Sequence, residues 1–154
     1  MRSRNFLVSA ALATALAACG GGATTARPAA GPSGTAVQAT APASAVEQFI
    51  GYARQSKYTE MGYLFGTARG PLAESQAPER VARRMQAIAS VLRAESYALN
   101  AMVNTPGRPE ARTIMVELRQ GRQSRQVPFT VVQGPAGTWL VEMVDMQAAI
   151  RPRS

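Results

Sequence analysis

Apolar residues recur along this chain with two different periods, and the change of period divides it. From Ser44 the spacing is helical. Val46, Phe49, Ile50 and Ala53 fall at i, i+3, i+4 and i+7, one stripe of a helix running to about Ser56. Ser44 and Glu47 precede that stripe in the pattern of a capping box, with Ser at the N-cap and Glu at N3. Thr59 is placed to cap a shorter second helix with Met61, Leu64 and Phe65 on its buried side, and Gly66 to Pro71 breaks it as a loop. Pro78 suits the first position of a third helix, where its missing N–H costs nothing. Val81, Met85, Ile88 and Leu92 then line one face, while Arg80, Arg83 and Arg84 project elsewhere.

The second half alternates. Tyr97, Leu99, Ala101 and Val103 are followed by a turn from Thr105 to Pro109, then by Ile114, Val116 and Leu118, which end at Gly121. Val127, Phe129 and Val131 lead into Gln133–Gly137, and Trp139 to Met146 forms the last run. Four such runs joined by short Gly/Pro loops predict an antiparallel meander. Pro128 cannot donate to a ladder and is expected at an edge or a bulge. The last run is apolar on both sides, with Trp139, Val141 and Met143 on one and Leu140, Val144 and Met146 on the other. Asp145 shares the first class, which points it inward at the strand's end. Helices first and strands after predict an α+β domain over residues 45–154, its N-terminal helices on one face of a curved four-stranded sheet.

Upstream the pattern disappears. From Gly20 to Ser44, 22 of 25 residues are Ala, Gly, Pro, Thr or Ser, too little apolar surface to offset ordering entropy. Residues 19–44 are therefore expected to be a disordered tether, of root-mean-square span about 25–30 Å. Before it, Met1-Arg2-Ser3-Arg4-Asn5 is a basic n-region, and Phe6–Ala18 is an uncharged apolar run. That run is shorter than the ~20 residues a membrane-spanning helix needs, and it fits the core of an export signal over residues 1–18.

The run ends in Leu16-Ala17-Ala18-Cys19, which resembles a bacterial lipobox. The resemblance implies cleavage between Ala18 and Cys19 and a lipid on the Cys19 sulfur, so that the chain reaches its membrane through Cys19. Two or more acyl chains make such an anchor stable. If the cell is Gram-negative, Gly20 in place of the Asp of retained lipoproteins favours transfer to the outer membrane, on its periplasmic side.

Composition narrows the chemistry. The 17 basic and 9 acidic residues give +8, and loss of Arg2 and Arg4 with the leader leaves +6. Such a charge suits anionic surfaces, but export argues against nucleic acid, and the basic residues are mostly scattered singly. Histidine is absent, which removes the usual acid/base near neutral pH and the commonest metal ligand. With its one cysteine committed to lipid, the chain offers no disulfide, thiolate nucleophile or zinc site. No cofactor motif is present, and Gly20-Gly21-Gly22 precedes no helix that would make it a phosphate cradle.

Val46-Glu47-Gln48-Phe49-Ile50, then Tyr58-x-x-Met61-x-x-Leu64-Phe65, a third helix, and a meander ending in Trp139-Leu140-Val141-Glu142 together resemble the NTF2-like (cystatin-like) superfamily. The short strand that family often places between its second and third helices is not evident. The resemblance implies a cone-shaped sheet around a pocket, to which Asp145, Tyr52, Tyr63, Tyr97 and Trp139 are the candidate contributors. Two functions follow as expectations. One is a non-enzymatic envelope lipoprotein whose domain binds a protein partner or ligand near the membrane. The other is a pocket enzyme or carrier for a small apolar ligand, with Asp145 as base beside a tyrosine hydroxyl. A third idea is contact of the Arg-rich helix and of Arg119, Arg122 and Arg125 with anionic lipid or lipopolysaccharide.

Overall fold

The first helix among the described residues begins one turn earlier than the Ser44–Glu47 pattern suggests. The computed structural model describes residues 38–151, and α1 spans Pro42–Arg54 with Ala41 at its N-cap. Ser44 occupies N3 instead of the cap: its Oγ donates to the Ala41 carbonyl at 2.9 Å and accepts from the Ala41 N–H at 3.3 Å. Pro42 at the first helical position explains the earlier start, since it presets φ and has no N–H to leave unpaired. Ala39 is fully buried, and its carbonyl accepts from the Trp139 N–H at 2.7 Å, so the fold includes residues assigned above to the tether. The leader, Cys19 and the remainder of the expected tether lie outside the described residues.

At its other end α1 closes with paired reverse bonds, Lys57 N–H to Tyr52 O at 2.9 Å and Ser56 N–H to Ala53 O at 3.2 Å. Ser56 takes φ +57°, the left-handed conformation that this helix ending requires and that glycine usually supplies. Helix α2 (Tyr58–Leu64) follows. Gly66–Thr67 (β1) and Gly70–Pro71 (β2) then form a minimal hairpin where a plain loop was expected. Phe65 makes a parallel bridge to Val141 just before it. After α3 (Leu72–Ser75), α4 runs from Pro78 to Val91 with Val81, Met85 and Ile88 inward, as their spacing predicts. Helices α2 and α4 approach so closely at Gly62 that an added Cβ would lie 2.4 Å from the Val81 Cγ1.

The strands β3 (Ser96–Thr105), β4 (Arg108–Gln120), β5 (Gln123–Gln133) and β6 (Trp139–Val144) form one antiparallel sheet in sequential order. The molecule is thus α+β, with helices on one face of a four-stranded meander. Ile114, Val116, Val127, Phe129, Val131 and Val141 carry the sheet's share of the core. Phe49 fills the middle of the interface, its ring centroid 5.9 Å from that of Phe65 and 6.5 Å from that of Phe129.

Two details of the last strands differ from simple alternation. The pairing Thr130↔Met143 followed by Val131↔Val141 leaves Glu142 unmatched, a bulge in β6. Val141 and Val144 consequently both reach the core, while Met143 is 57% exposed on the opposite face. The second difference concerns Pro128, which lies within the central strand β5 and not at an edge. Its carbonyl accepts from the Asp145 N–H at 3.0 Å, so its missing N–H faces the same side, where β6 has already ended. Beyond that point the chain forms α5 (Met146–Ile150), where the sequence reading continued the strand to Met146. No helix among the described residues is long and apolar enough to cross a membrane.

Candidate functional site

Asp145, the one aspartate of the chain, is the N-cap of α5, and its Oδ1 accepts the Ala148 N–H at 2.9 Å. The bulge at Glu142 removes it from the alternation class of Trp139 and Val141, and the chain leaves the sheet at this residue. Capping gives this carboxylate a structural task at the helix end, through Oδ1.

The aromatic candidates are dispersed over several elements. Tyr52 on α1 and Tyr97 on β3 are half-buried and pack against the core, and the Lys57 ammonium lies 5.8 Å from the Tyr52 ring centroid. Trp139 opens β6 and is tied to Ala39. Tyr63 on α2 lines a hollow of about 200 Å³ with Pro71, Glu74, Pro135 and Leu140, on the flank of the sheet away from Asp145. Asp145 lines neither this hollow nor the three larger clefts among the described residues.

An arginine-walled cleft of about 400 Å³ opens where α1 and α4 end, between Arg54, Ser56, Tyr58, Gln86, Ser90 and Arg93. Its floor is Ala53, Ala89, Leu92 and Ala94. Both arginines follow from the chain's layout. Arg54 closes the last turn of α1, where a cation complements the helix dipole, and Arg93 stands two residues beyond α4. The Arg54 Nη2 donates to the Glu95 carbonyl at 3.4 Å, which fixes the cleft's rim. No carboxylate lines this space, so its chemistry is that of a cationic, hydrogen-bonding wall over a small apolar floor. Sequence reasoning passed over it because Arg54 and Arg93 are far apart in the chain. The helix-ending signals near Ser56 and after Val91 were the available clue.

The remaining arginines divide. Arg84 of the third predicted helix lies over the Phe65 ring, 4.9 Å from its centroid, and is partly spent on packing. On the outer face of the sheet, Arg108 reaches across β5 to Glu142. Its Nη2 is 3.1 Å from Glu142 Oε1, its Nη1 bonds Glu142 Oε2, and its Nε donates to Glu110 at 3.1 Å. The Glu142 carboxylate, with Glu110, raises the Arg108 pKa above its ordinary value. Arg119 donates to Glu117 at 2.8 Å, which lowers the Glu117 pKa below the usual carboxylate value. Arg108–Glu142 is part-buried and Arg119–Glu117 lies nearer the solvent; both tie strand positions.

Compared with family models, curated proteins and solved structures, this chain matches none.

Proposed function

We propose that this protein is a lipid-anchored envelope protein whose folded part is a non-enzymatic binding or adaptor domain of NTF2-like layout. The observation that carries the non-enzymatic reading is the use of Asp145. The carboxylate that would serve as base caps α5, and Phe49 packs against Phe65 and Phe129 in the space between helix and sheet. The arginine-walled clefts beside Arg54 and Arg125 open at the surface, and their polar walls suit contact with a partner better than enclosure of an apolar ligand. Anchoring rests on Leu16-Ala17-Ala18-Cys19 after a short apolar run, followed by a spacer rich in Ala, Gly and Pro.

The anchoring half is tested by growing a Gram-negative host that expresses the full chain with a clickable palmitate analogue. The parent should take up label and partition into detergent. Cys19→Ala should lose the label and accumulate as the uncut precursor. An unlabelled parent in the aqueous phase overturns the anchor. The adaptor half is tested by cross-linking in intact cells and recovery from solubilised envelope. A specific envelope protein captured by the parent supports it; its absence together with a defined small-molecule turnover by the purified chain refutes it.

A further inference from the structure

Arginines that look scattered in the sequence gather at one pole of the folded domain. The loop Arg93–Glu95 is the centre of the cluster. The Arg125 Nη2 donates to the Arg93 carbonyl at 3.0 Å from one side, and Arg54 reaches the Glu95 carbonyl from the other. The Glu95 N–H donates to the Arg119 carbonyl at 2.8 Å, which draws the β4–β5 hairpin to the same loop. Arg122 stands at that hairpin's tip beside Gly121, whose φ of +58° permits the two-residue turn. Helix α5 ends here too: Ala149 and Ile150 line a hollow of about 340 Å³ with Arg93, Arg125 and Gln120, and Arg151 follows. The carboxylates in this stretch are Glu95 and Glu117, and Glu117 is taken by Arg119.

Two properties select the partner. Arg54 and Arg125 each spend a single N–H on a loop carbonyl, and a guanidinium has five, so four on each are without a partner among the described residues. Among the described residues, Arg93, Arg122, Arg125 and Arg151 form no salt bridge. Planar guanidinium forks match phosphate oxygens in pairs. Amid these cations Ile150 is 57% exposed. A large aliphatic side chain projecting from a ring of arginines suits an interface where phosphate lies at the surface and hydrocarbon just beneath it. A soluble anion would gain nothing from Ile150.

We infer that this pole is a docking surface for the phosphate headgroups of an anionic lipid bilayer, with Arg93 and Arg125 at its centre and Ile150 as its apolar contact. The pole lies opposite the end where residue 38 enters the fold. That entry end pairs Ala39 with Trp139, next to the β5–β6 connection, whereas the arginines surround the β4–β5 hairpin. The inference stands on the folded domain and does not depend on lipidation of Cys19.

The test is arginine footprinting of the full chain with phenylglyoxal, read by peptide mass. The chain is mixed with vesicles of neutral phosphatidylcholine, or of phosphatidylcholine with about a third phosphatidylglycerol. Each cation near such a surface adds attraction, so Arg93, Arg122 and Arg125 should be modified about tenfold more slowly on anionic vesicles. Arg69, in the β1–β2 turn near the entry end, should be modified equally on both. Protection should vanish in ~1 M salt, where the screening length falls to about 3 Å. The pair Arg93→Glu with Arg125→Glu should abolish protection of Arg122, and Ile150→Asn should weaken it, with circular dichroism unchanged in both. Equal modification on the two vesicle types overturns the proposal, as does equal protection of Arg69. Protection by inorganic phosphate or dextran sulfate with none on anionic vesicles also overturns it, in favour of a soluble anion or a sulfated polymer. Failure of the Cys19 anchor would leave the neutral–anionic contrast intact, so the two readings fail separately.

Discussion

The two edges of the sheet are built on opposite plans. At β6 the edge is short, six residues, and is covered on its outer side by Ala39 in an antiparallel bridge and by Phe65 in a parallel one. Helix α1 and the β1 segment lie against it, and Val141 is fully buried. At β3 the edge is ten residues long, carries no charge or proline, and pairs among the described residues with β4 alone. Met102 and Val103, in the half of that strand nearer the β3–β4 turn, are 55% and 52% exposed. Its visible protections are two irregularities, one between Leu99 and Met102, where Asn100 and Ala101 fall out of register with β4, and one between Asn104 and Thr105. The difference teaches where the fold is held. The helices cover the β5–β6 side, and the far end of the β3–β4 hairpin extends past them.

That contrast yields graded outcomes. The largest effect belongs to Phe49→Ala, which empties the centre of the helix–sheet interface and should lower unfolding free energy by about 3–5 kcal/mol in denaturant titration. Ala39→Glu places an unpaired charge at the covered edge. It should lose about 1–3 kcal/mol and accelerate amide exchange at Trp139 before exchange in β4 changes. Asp145→Ala removes the cap of α5, with an expected loss of about 0.5–2 kcal/mol; a catalytic base would instead leave stability unchanged and abolish a turnover. Smallest of all, Met102→Asn on the bare edge should stay within about 0.5 kcal/mol of the parent. A Met102→Asn loss as large as that of Phe49→Ala would break the contrast between the edges.

Periodicity made much of this legible. Val81, Met85 and Ile88 face inward as spaced, and Ile114–Val116–Leu118 and Val127–Phe129–Val131 are core-facing triplets on neighbouring central strands. What periodicity missed were places where one residue resets the frame. Glu142 bulges out of β6, and every inward or outward assignment after it changes, Asp145 included. Pro42 starts α1 a turn before Ser44 because φ preset by proline outweighs an isolated side-chain cap. Helix α5 is too short for a period to show, and its one signal, Asp145 three residues before Ala148, was read as part of a strand. The candidate surface was the least legible. Arg54 lies on α1, Arg125 on β5 and Arg93 in the loop after α4, and nothing local in the sequence says that this loop will bring them together.

The bond between Ala39 and Trp139 also fixes the path of mechanical load. A pull on the N-terminal side meets this single bridge before it meets α1. Tension would part that link first, as the opening tooth of a zip, and leave the remainder of the fold unstressed until Pro42 is drawn tight.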